Sequence, residues 1–123
     1  MKVLLSIKPE FAEKIFDGTK KFEFRRTIFS KTHINTVIVY ASSPVQRVIG
    51  EFQINQVLFD DIDTLWRRTC DYAGIDKDLF LKYFIDKNKG YAIEIKHVRK
   101  YKTPLHLKER FQIQPPQSFA YII

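Results

Sequence analysis

The amino-acid sequence predicts a small α+β domain with about six mostly antiparallel strands and a sheet that curls into a barrel. Period-two alternation of apolar and polar residues recurs along the chain, whereas helical spacing occurs only near the start and in the middle. Gly50 interrupts a long strand pattern, which favours a barrel corner over a ligand contact. We expect a single domain over residues 1–123, with an early helix and an inserted helix pair.

The first three elements are a strand, a helix and a second strand. The apolar run Lys2–Ile7 is typical of a buried strand. Pro9 suits the first turn of a helix, and Gly18 ends that helix because glycine adopts the left-handed cap conformation without a steric clash. The period then changes to two, which places Phe22 and Phe24 on one side of a strand and charged residues on the other.

Four more strands and the helix pair follow. Residues 36–41 form a β-branched run typical of a central strand, and residues 45–59 form a long alternating one. Helical stripes that begin at aspartates occupy residues 60–84. Residues 91–101 alternate again, and residues 118–123 supply a last strand.

Composition excludes several classes of protein. The 45% hydrophobic and 15% aromatic residues are sufficient for one core and argue against long disorder. The single cysteine, Cys70, excludes an internal disulfide and is interpreted as a buried apolar residue. Three scattered histidines give no metal-ligand spacing and no cofactor motif is present, so we expect neither metal nor cofactor. The sequence has no membrane span or signal peptide, which predicts a cytoplasmic protein.

The net charge of +7 is unevenly distributed. Residues 1–35 hold eight basic and four acidic side chains, residues 36–86 hold five and eight, and residues 87–123 hold eight and two. If the two ends pair in the fold, their basic excess forms a positive face for a polyanion, although lysines that merely solubilise the protein explain the composition equally well. The residues expected on this face are Lys21, Arg26, Arg99, Lys100 and Lys102.

One short stretch resembles a known family. The run from Gly18 to Arg25 is similar to the G-x-K-x-x-E-x-R signature of ASCH domains, which belong to the PUA-like superfamily of small pseudo-β-barrels. Residues 40–44 and 48–52 also resemble the strand, turn and strand of this group, within its bacterial and phage subgroup of predicted transcriptional regulators. The resemblance implies a cleft beside the barrel that receives RNA or a modified nucleoside.

The same resemblance implies which residues line that cleft. Lys20, Glu23 and Arg25 are its candidate ligand-binding groups, Gly18 shapes the turn, and Lys20 and Glu23 are the candidates for any catalysis. Some ASCH members resemble amidohydrolases of acylated cytidine and others are linked to RNA cleavage. Nearby cations favour an ionised Glu23, which suits a hydrogen-bond acceptor better than a general acid. A surface ion pair without function is the structural alternative.

These observations lead to two hypotheses of function. The first is a nucleic-acid-binding module, with a regulatory role, for RNA or a nucleotide-like ligand, because basic and aromatic residues interleave and no recognition helix is present. The alternative is a hydrolase of nucleoside or RNA metabolism, similar to the cytidine amidohydrolases or to ribonucleases. A protein interaction domain with an acidic partner is a third, weaker interpretation. The sequence leaves RNA or DNA, turnover and oligomeric state open.

Overall fold

The structure, a computed structural model, describes all residues from 1 to 123 and contains six strands and four α-helices. A short 3₁₀ turn, Cys70–Tyr72, follows the second helix. The bounds of the elements, in chain order, are β1 Lys2–Ile7, α1 Pro9–Asp17, β2 Phe22–Arg25, β3 Thr36–Ala41, β4 Arg47–Asp61, α2 Ile62–Thr69, α3 Lys77–Tyr83, β5 Lys89–Leu105, α4 Leu107–Phe111 and β6 Phe119–Ile122. No helix is long and apolar enough to span a membrane.

The strands form one mixed sheet in the order β2-β5-β4-β3-β1-β6. β1 pairs with β3 in parallel, and the other four pairings are antiparallel. The N-terminal strand therefore lies beside the C-terminal one, and α2 and α3 are inserted between the two longest strands. This arrangement confirms the predicted α+β class, the mostly antiparallel sheet, the early helix and the inserted helix pair.

The sheet curls but does not close into a barrel. Its edges are β2 and β6, each only four residues long, and neither pairs with the other. Instead, the Arg25 side chain of β2 crosses the gap and donates hydrogen bonds to the Ser6 carbonyl of β1 and to the Ser118 hydroxyl. Side chains thus occupy the space in which a barrel would have backbone hydrogen bonds, and the gap leaves room for a cleft.

Three apolar clusters hold the sheet and helices together. The largest, under α1, includes Val3, Leu5, Ala12, Ile15 and Phe52. A second cluster packs the inserted helices on β2, β4 and β5, and a third lies on the opposite face of β1 and β3, beneath α4. Each fully buried Leu, Val or Phe contributes about 1.5–3 kcal/mol to stability relative to exposure. The inserted helices are therefore packed onto the sheet by a core of their own.

Two sequence interpretations are corrected by the fold. Gly50 does not form a barrel corner. Glycine is needed there because neighbouring atoms leave no room for a side chain: a Cβ would lie 2.5 Å from the Phe16 ring and 2.6 Å from the Arg99 carbonyl oxygen. Cys70 is exposed, not buried. The α-helix ends at the buried Thr69, and Cys70 begins a 3₁₀ turn that directs its side chain away from the core.

Candidate functional site

A cleft of about 860 Å³ opens at the gap between β2 and the β1–β6 edge. Its walls come from the end of β1, the start of α1, residues 23–25 of β2, the turn after β3, α3 and the segment before β6. The polar and charged residues that line it include Ser6, Lys8, Glu10, Lys20, Glu23, Arg25, Arg26, Tyr40, Ser42, Ser43, Gln46, Tyr83 and Ser118. Four cations and two carboxylates give the cleft a positive excess of two charges.

Lys20 lies in the floor of this cleft with only 2% of its surface exposed. Its Nζ donates a hydrogen bond of 2.7 Å to the Ala73 carbonyl and lies 4.8 Å from the centre of the Phe24 ring. Gly74 makes room for the stem of the lysine, since a Cβ at that position would lie 2.6 Å from the Lys20 Cβ. The helix insertion therefore supplies both the partner and the space for this ammonium group.

Burial lowers the pKa of Lys20 to about 8, although the nearby Glu23 carboxylate opposes the shift. An ammonium group loses favourable hydration when it is buried, and the hydrogen bond and the ring compensate for only part of that loss. In the unfolded chain the same lysine keeps its proton up to a pH near 10.5. Folding therefore releases a proton in the interval between these two values, and stability rises with pH across it.

We expect the free energy of unfolding to rise by about 2 kcal/mol between pH 8 and pH 9.5 through Lys20 alone. Urea titrations at several pH values measure this, and Lys20→Met is expected to abolish the rise. Lys82→Met is the matched control, because Lys82 is exposed and lies outside the cleft. Parallel pH curves for wild type and Lys20→Met would contradict the assignment.

Glu23 and Arg25 form a buried ion pair on the same side of β2. Arg25 Nη2 lies 3.2 Å from Glu23 Oε2, and each side chain is only 10% exposed. The same guanidinium donates to the Ser6 carbonyl at 3.1 Å and to the Ser118 hydroxyl at 3.2 Å. Its Nε is buried and has no hydrogen-bond partner. The guanidinium is thus fixed from three directions, and two of its five N–H donors, the buried one on Nε and one on Nη1, have no partner in the protein.

The insertion is tied to the rim of the cleft by two more hydrogen-bonded side chains. The Tyr83 hydroxyl donates to the Phe24 carbonyl at 3.0 Å, and burial raises the pKa of this phenol. Arg26 Nη1 donates to the carbonyls of Tyr83 and Ile85 at 2.9 and 2.8 Å. Both contacts hold the end of α3 against β2, so the wall of the cleft depends on the insertion.

Most of the chain matches a known protein family. The family model described as "ASCH domain" matches residues 5–112, which is most of the chain. The chain belongs to the ASCH family. The predicted resemblance is thereby confirmed, and the match extends well beyond the short run from Gly18 to Arg25 on which it was based.

Individual ASCH proteins are similar over the full domain. An "ASCH domain-containing ribonuclease" from Zymomonas mobilis is 31% identical over 123 residues, which cover 97% of this chain and 82% of that protein. The crystal structure of ASCH from the same organism has a TM-score of 0.91 at 32% identity and covers 99% of this chain and 87% of that one. The N-terminal domain of McrB from Staphylothermus marinus, at 15% identity and a TM-score of 0.52, shares the fold alone.

The same domain also matches part of larger proteins. A protein named large ribosomal subunit protein uL22 from Ureaplasma parvum is 31% identical over 124 residues. These cover 98% of this chain but only 39% of that protein. The ASCH chain thus spans about two fifths of the length of this curated relative.

The ASCH fold distributes the sequence-predicted residues over several places. Lys20, Glu23 and Arg25 come together in the cleft, whereas Gly18 caps α1 at a φ of 88° and does not line it. Of the expected basic face, Lys21 lies 4.4 Å from the centre of the Tyr72 ring and Arg26 is at the cleft rim. The others, Arg99, Lys100 and Lys102, line a separate concavity on the sheet.

Sequence reasoning missed the partners that complete the ASCH cleft. Ser6 and Ser118 hold Arg25 but are single serines in or beside apolar strands, with no motif around them. Tyr40 lies in an unbroken apolar strand and is not marked by its own pattern. It is 4% exposed, lines the cleft, and its hydroxyl makes no hydrogen bond to the protein. Its position two residues before the Ser42-Ser43-Pro44 turn is the one local signal for it. No group of three or more His, Cys, Asp or Glu side chains is arranged to hold a metal ion.

Proposed function

We propose that this chain is a cytoplasmic RNA-binding ASCH module whose cleft receives a nucleotide of a single strand. The observation behind the proposal is Arg25, which lines the cleft, has three fixed partners and retains an unpaired buried Nε. A buried donor without an acceptor costs about 1–3 kcal/mol, and a ligand oxygen removes that cost. The planar guanidinium is well suited to phosphate and to base carbonyl oxygens.

The remaining groups of the cleft match the other parts of a nucleotide. Glu23 presents a carboxylate that accepts a hydrogen bond from a base amino group, and Tyr40 offers a free hydroxyl. The volume of 860 Å³ lies within the range of small-ligand pockets, roughly 300–1,000 Å³. A recessed site of this kind favours an unpaired nucleotide, because the bases of a duplex are stacked inside it.

A second candidate function is RNA cleavage, which is favoured by the name of the Zymomonas relative. Cleavage requires groups that move protons near the scissile phosphate. The ionisable groups of the cleft include Lys20, Glu23 and Tyr40, with Glu10 and Tyr83 at its walls, and none of the three histidines lines it. With a pKa near 8, Lys20 loses and gains a proton close to neutral pH. RNA that is bound but not cut would favour the regulatory binding module over this alternative.

Arg25→Lys is expected to weaken binding of single-stranded RNA at least tenfold, because hydrogen bonds to a charged group contribute about 1.5–3 kcal/mol. Lysine keeps the positive charge beside Glu23 but lacks the Nε donor and the planar fork. Fluorescence titration with a labelled single strand measures the affinity. Arg67→Lys is the control, since Arg67 is exposed on α2 and lies outside the cleft. Equal affinities for the two variants would contradict the proposed site.

The same labelled RNA separates binding from cleavage. Products formed by the wild type and lost in Glu23→Gln would support the ribonuclease alternative. Intact RNA recovered from a saturated complex after prolonged incubation would contradict it and leave the binding module. Failure to bind single-stranded RNA in low salt would contradict both functions.

A further inference from the structure

A second concavity, of about 670 Å³, lies on the face of the sheet that carries the third apolar cluster. It is formed by the far half of β5, the start of β1 and the end of α4. We call it the basic groove. Its charged lining residues are Lys2, Glu51, Arg99, Lys100, Lys102 and Arg110. Five cations against one carboxylate give it a positive excess of four, twice that of the cleft.

The single carboxylate of the basic groove is already neutralised by its neighbours. Glu51 Oε1 accepts a hydrogen bond of 2.8 Å from the Tyr101 hydroxyl and lies 3.4 Å from Arg99 Nη2. Burial and the bond to Glu51 raise the pKa of Tyr101 to about 12, so the phenol keeps its proton and remains a donor. Glu51 therefore repels an incoming anion less than an unpaired carboxylate would.

The cations of the basic groove are mostly unpaired. Lys100 Nζ lies 3.4 Å from Glu13, but both side chains are more than half exposed and such a pair is weak. Lys2, Lys102 and Arg110 are exposed and have no carboxylate within 4 Å. Unpaired cations that line one concavity raise the local concentration of anions through their summed potential. The groove is therefore the more strongly attractive of the two concavities for a polyanion.

The basic groove and the cleft lie at opposite ends of one face of the sheet. Lys2 of the groove and Ser6 of the cleft point from the same side of β1, with Leu4 of the third cluster between them. Four residues of a strand span about 13 Å. On β3, Ile38 borders the groove and Tyr40 borders the cleft. A single extended ligand can therefore reach both, across the surface made by α4 and residues 112–118.

We infer that the basic groove binds the sugar-phosphate backbone of the same RNA strand whose nucleotide occupies the cleft. The inference rests on the proposed function and adds a second contact region to it. Flexible, exposed lysine and arginine heads match repeated phosphates and carry no base-specific geometry. The two rings of the groove are already in contact with other groups. The Arg99 guanidinium lies 5.4 Å from the centre of the Tyr101 ring, and Phe111 packs against the third cluster, so neither ring is offered to a base.

The test compares a mononucleotide, which fits the cleft alone, with a single strand of about 20 nucleotides in titrations over a range of salt concentrations. The double variant Lys102→Gln/Arg110→Gln is expected to reduce the salt slope for the long strand by about 1.4, since each phosphate contact of a single strand contributes about 0.7. Its affinity for the mononucleotide is expected to stay unchanged. The matched control, Arg67→Gln/Lys77→Gln, removes the same charge from exposed positions outside both concavities.

The outcomes separate this inference from the proposed function. A long-strand slope that falls no more than in the control overturns the groove, while mononucleotide binding that is lost in Arg25→Lys still supports the cleft. A slope that falls as expected, with binding unaffected by Arg25→Lys, supports the groove and overturns the cleft. Absence of binding to either ligand overturns both. Thermal melts of the double variant verify folding, and the two exchanged side chains are exposed and make no hydrogen bond to the rest of the protein.

Discussion

Arg25→Ala is expected to lower the free energy of unfolding by about 3–5 kcal/mol, the largest effect of any single charge removal in this chain. The substitution leaves the Glu23 carboxylate with 10% exposure and no cation at salt-bridge distance. It also removes the donors to the Ser6 carbonyl and the Ser118 hydroxyl, which are polar groups at the gap in the sheet. Urea unfolding at neutral pH measures the loss.

The exposed pair between Arg68 and Asp60 provides the matched control for Arg25→Ala. Its atoms lie 3.4 Å apart, but the side chains are 45% and 32% exposed, so Arg68→Ala is expected to cost only about 0–1 kcal/mol. The double variant Glu23→Gln/Arg25→Ala is expected to be more stable than the sum of its single variants predicts, because it leaves no buried carboxylate without its arginine partner. A cost for Arg25→Ala as small as that of Arg68→Ala would contradict a buried pair.

Gly74→Ala is expected to destabilise the protein by about 2–5 kcal/mol, from backbone strain and overpacking together. Gly74 has a φ of 70°, and an added Cβ would lie 2.6 Å from both Cβ and Cγ of Lys20. These atoms lie next to the lysine backbone and have little freedom to move. The substitution is therefore expected to displace the ammonium group as well, and to weaken RNA binding in the titration described above.

Gly18→Ala separates the effect of backbone strain from the effect of overpacking. Gly18 also has a positive φ, of 88°, but nothing lies within 4 Å of an added Cβ. Only the strain of the left-handed conformation remains, about 1–2 kcal/mol, and Lys20 stays in place. Equal losses of stability and of RNA affinity in the two glycine variants would show that contact with Lys20 is not what Gly74 provides.

The elements of the fold that could be predicted from the sequence are those set by residues close together in the chain. β1 and α1 have the predicted bounds, because an apolar run, a proline and a capping glycine are local signals. The inserted helices begin after the expected aspartates, whose carboxylates accept from backbone amides three residues on. Closure of the sheet was not predictable in this way, since it depends on whether two short edges meet.

In the cleft, too, contacts between residues close in sequence were predictable and contacts between residues far apart in sequence were not. Glu23 and Arg25 are two residues apart on one strand, so their pairing follows from the strand period. The Lys20 partner is the Ala73 carbonyl, 53 residues away, and the Arg25 partner Ser118 is 93 residues away. No local pattern contains these contacts. The lowered pKa of Lys20 was not predictable either, because the burial of its side chain depends on the space that Gly74 leaves for it.

The hydrogen bond from Arg25 to Ser118 has a consequence for how the molecule opens. β6 is a four-residue edge strand that pairs only with β1, and such elements belong to the part of a fold that opens most readily. Ser118 directly precedes it and is held by the cleft arginine. We therefore expect fraying of this strand to loosen the guanidinium, and we expect an anion that binds Arg25 to make fraying of the sheet edge rarer.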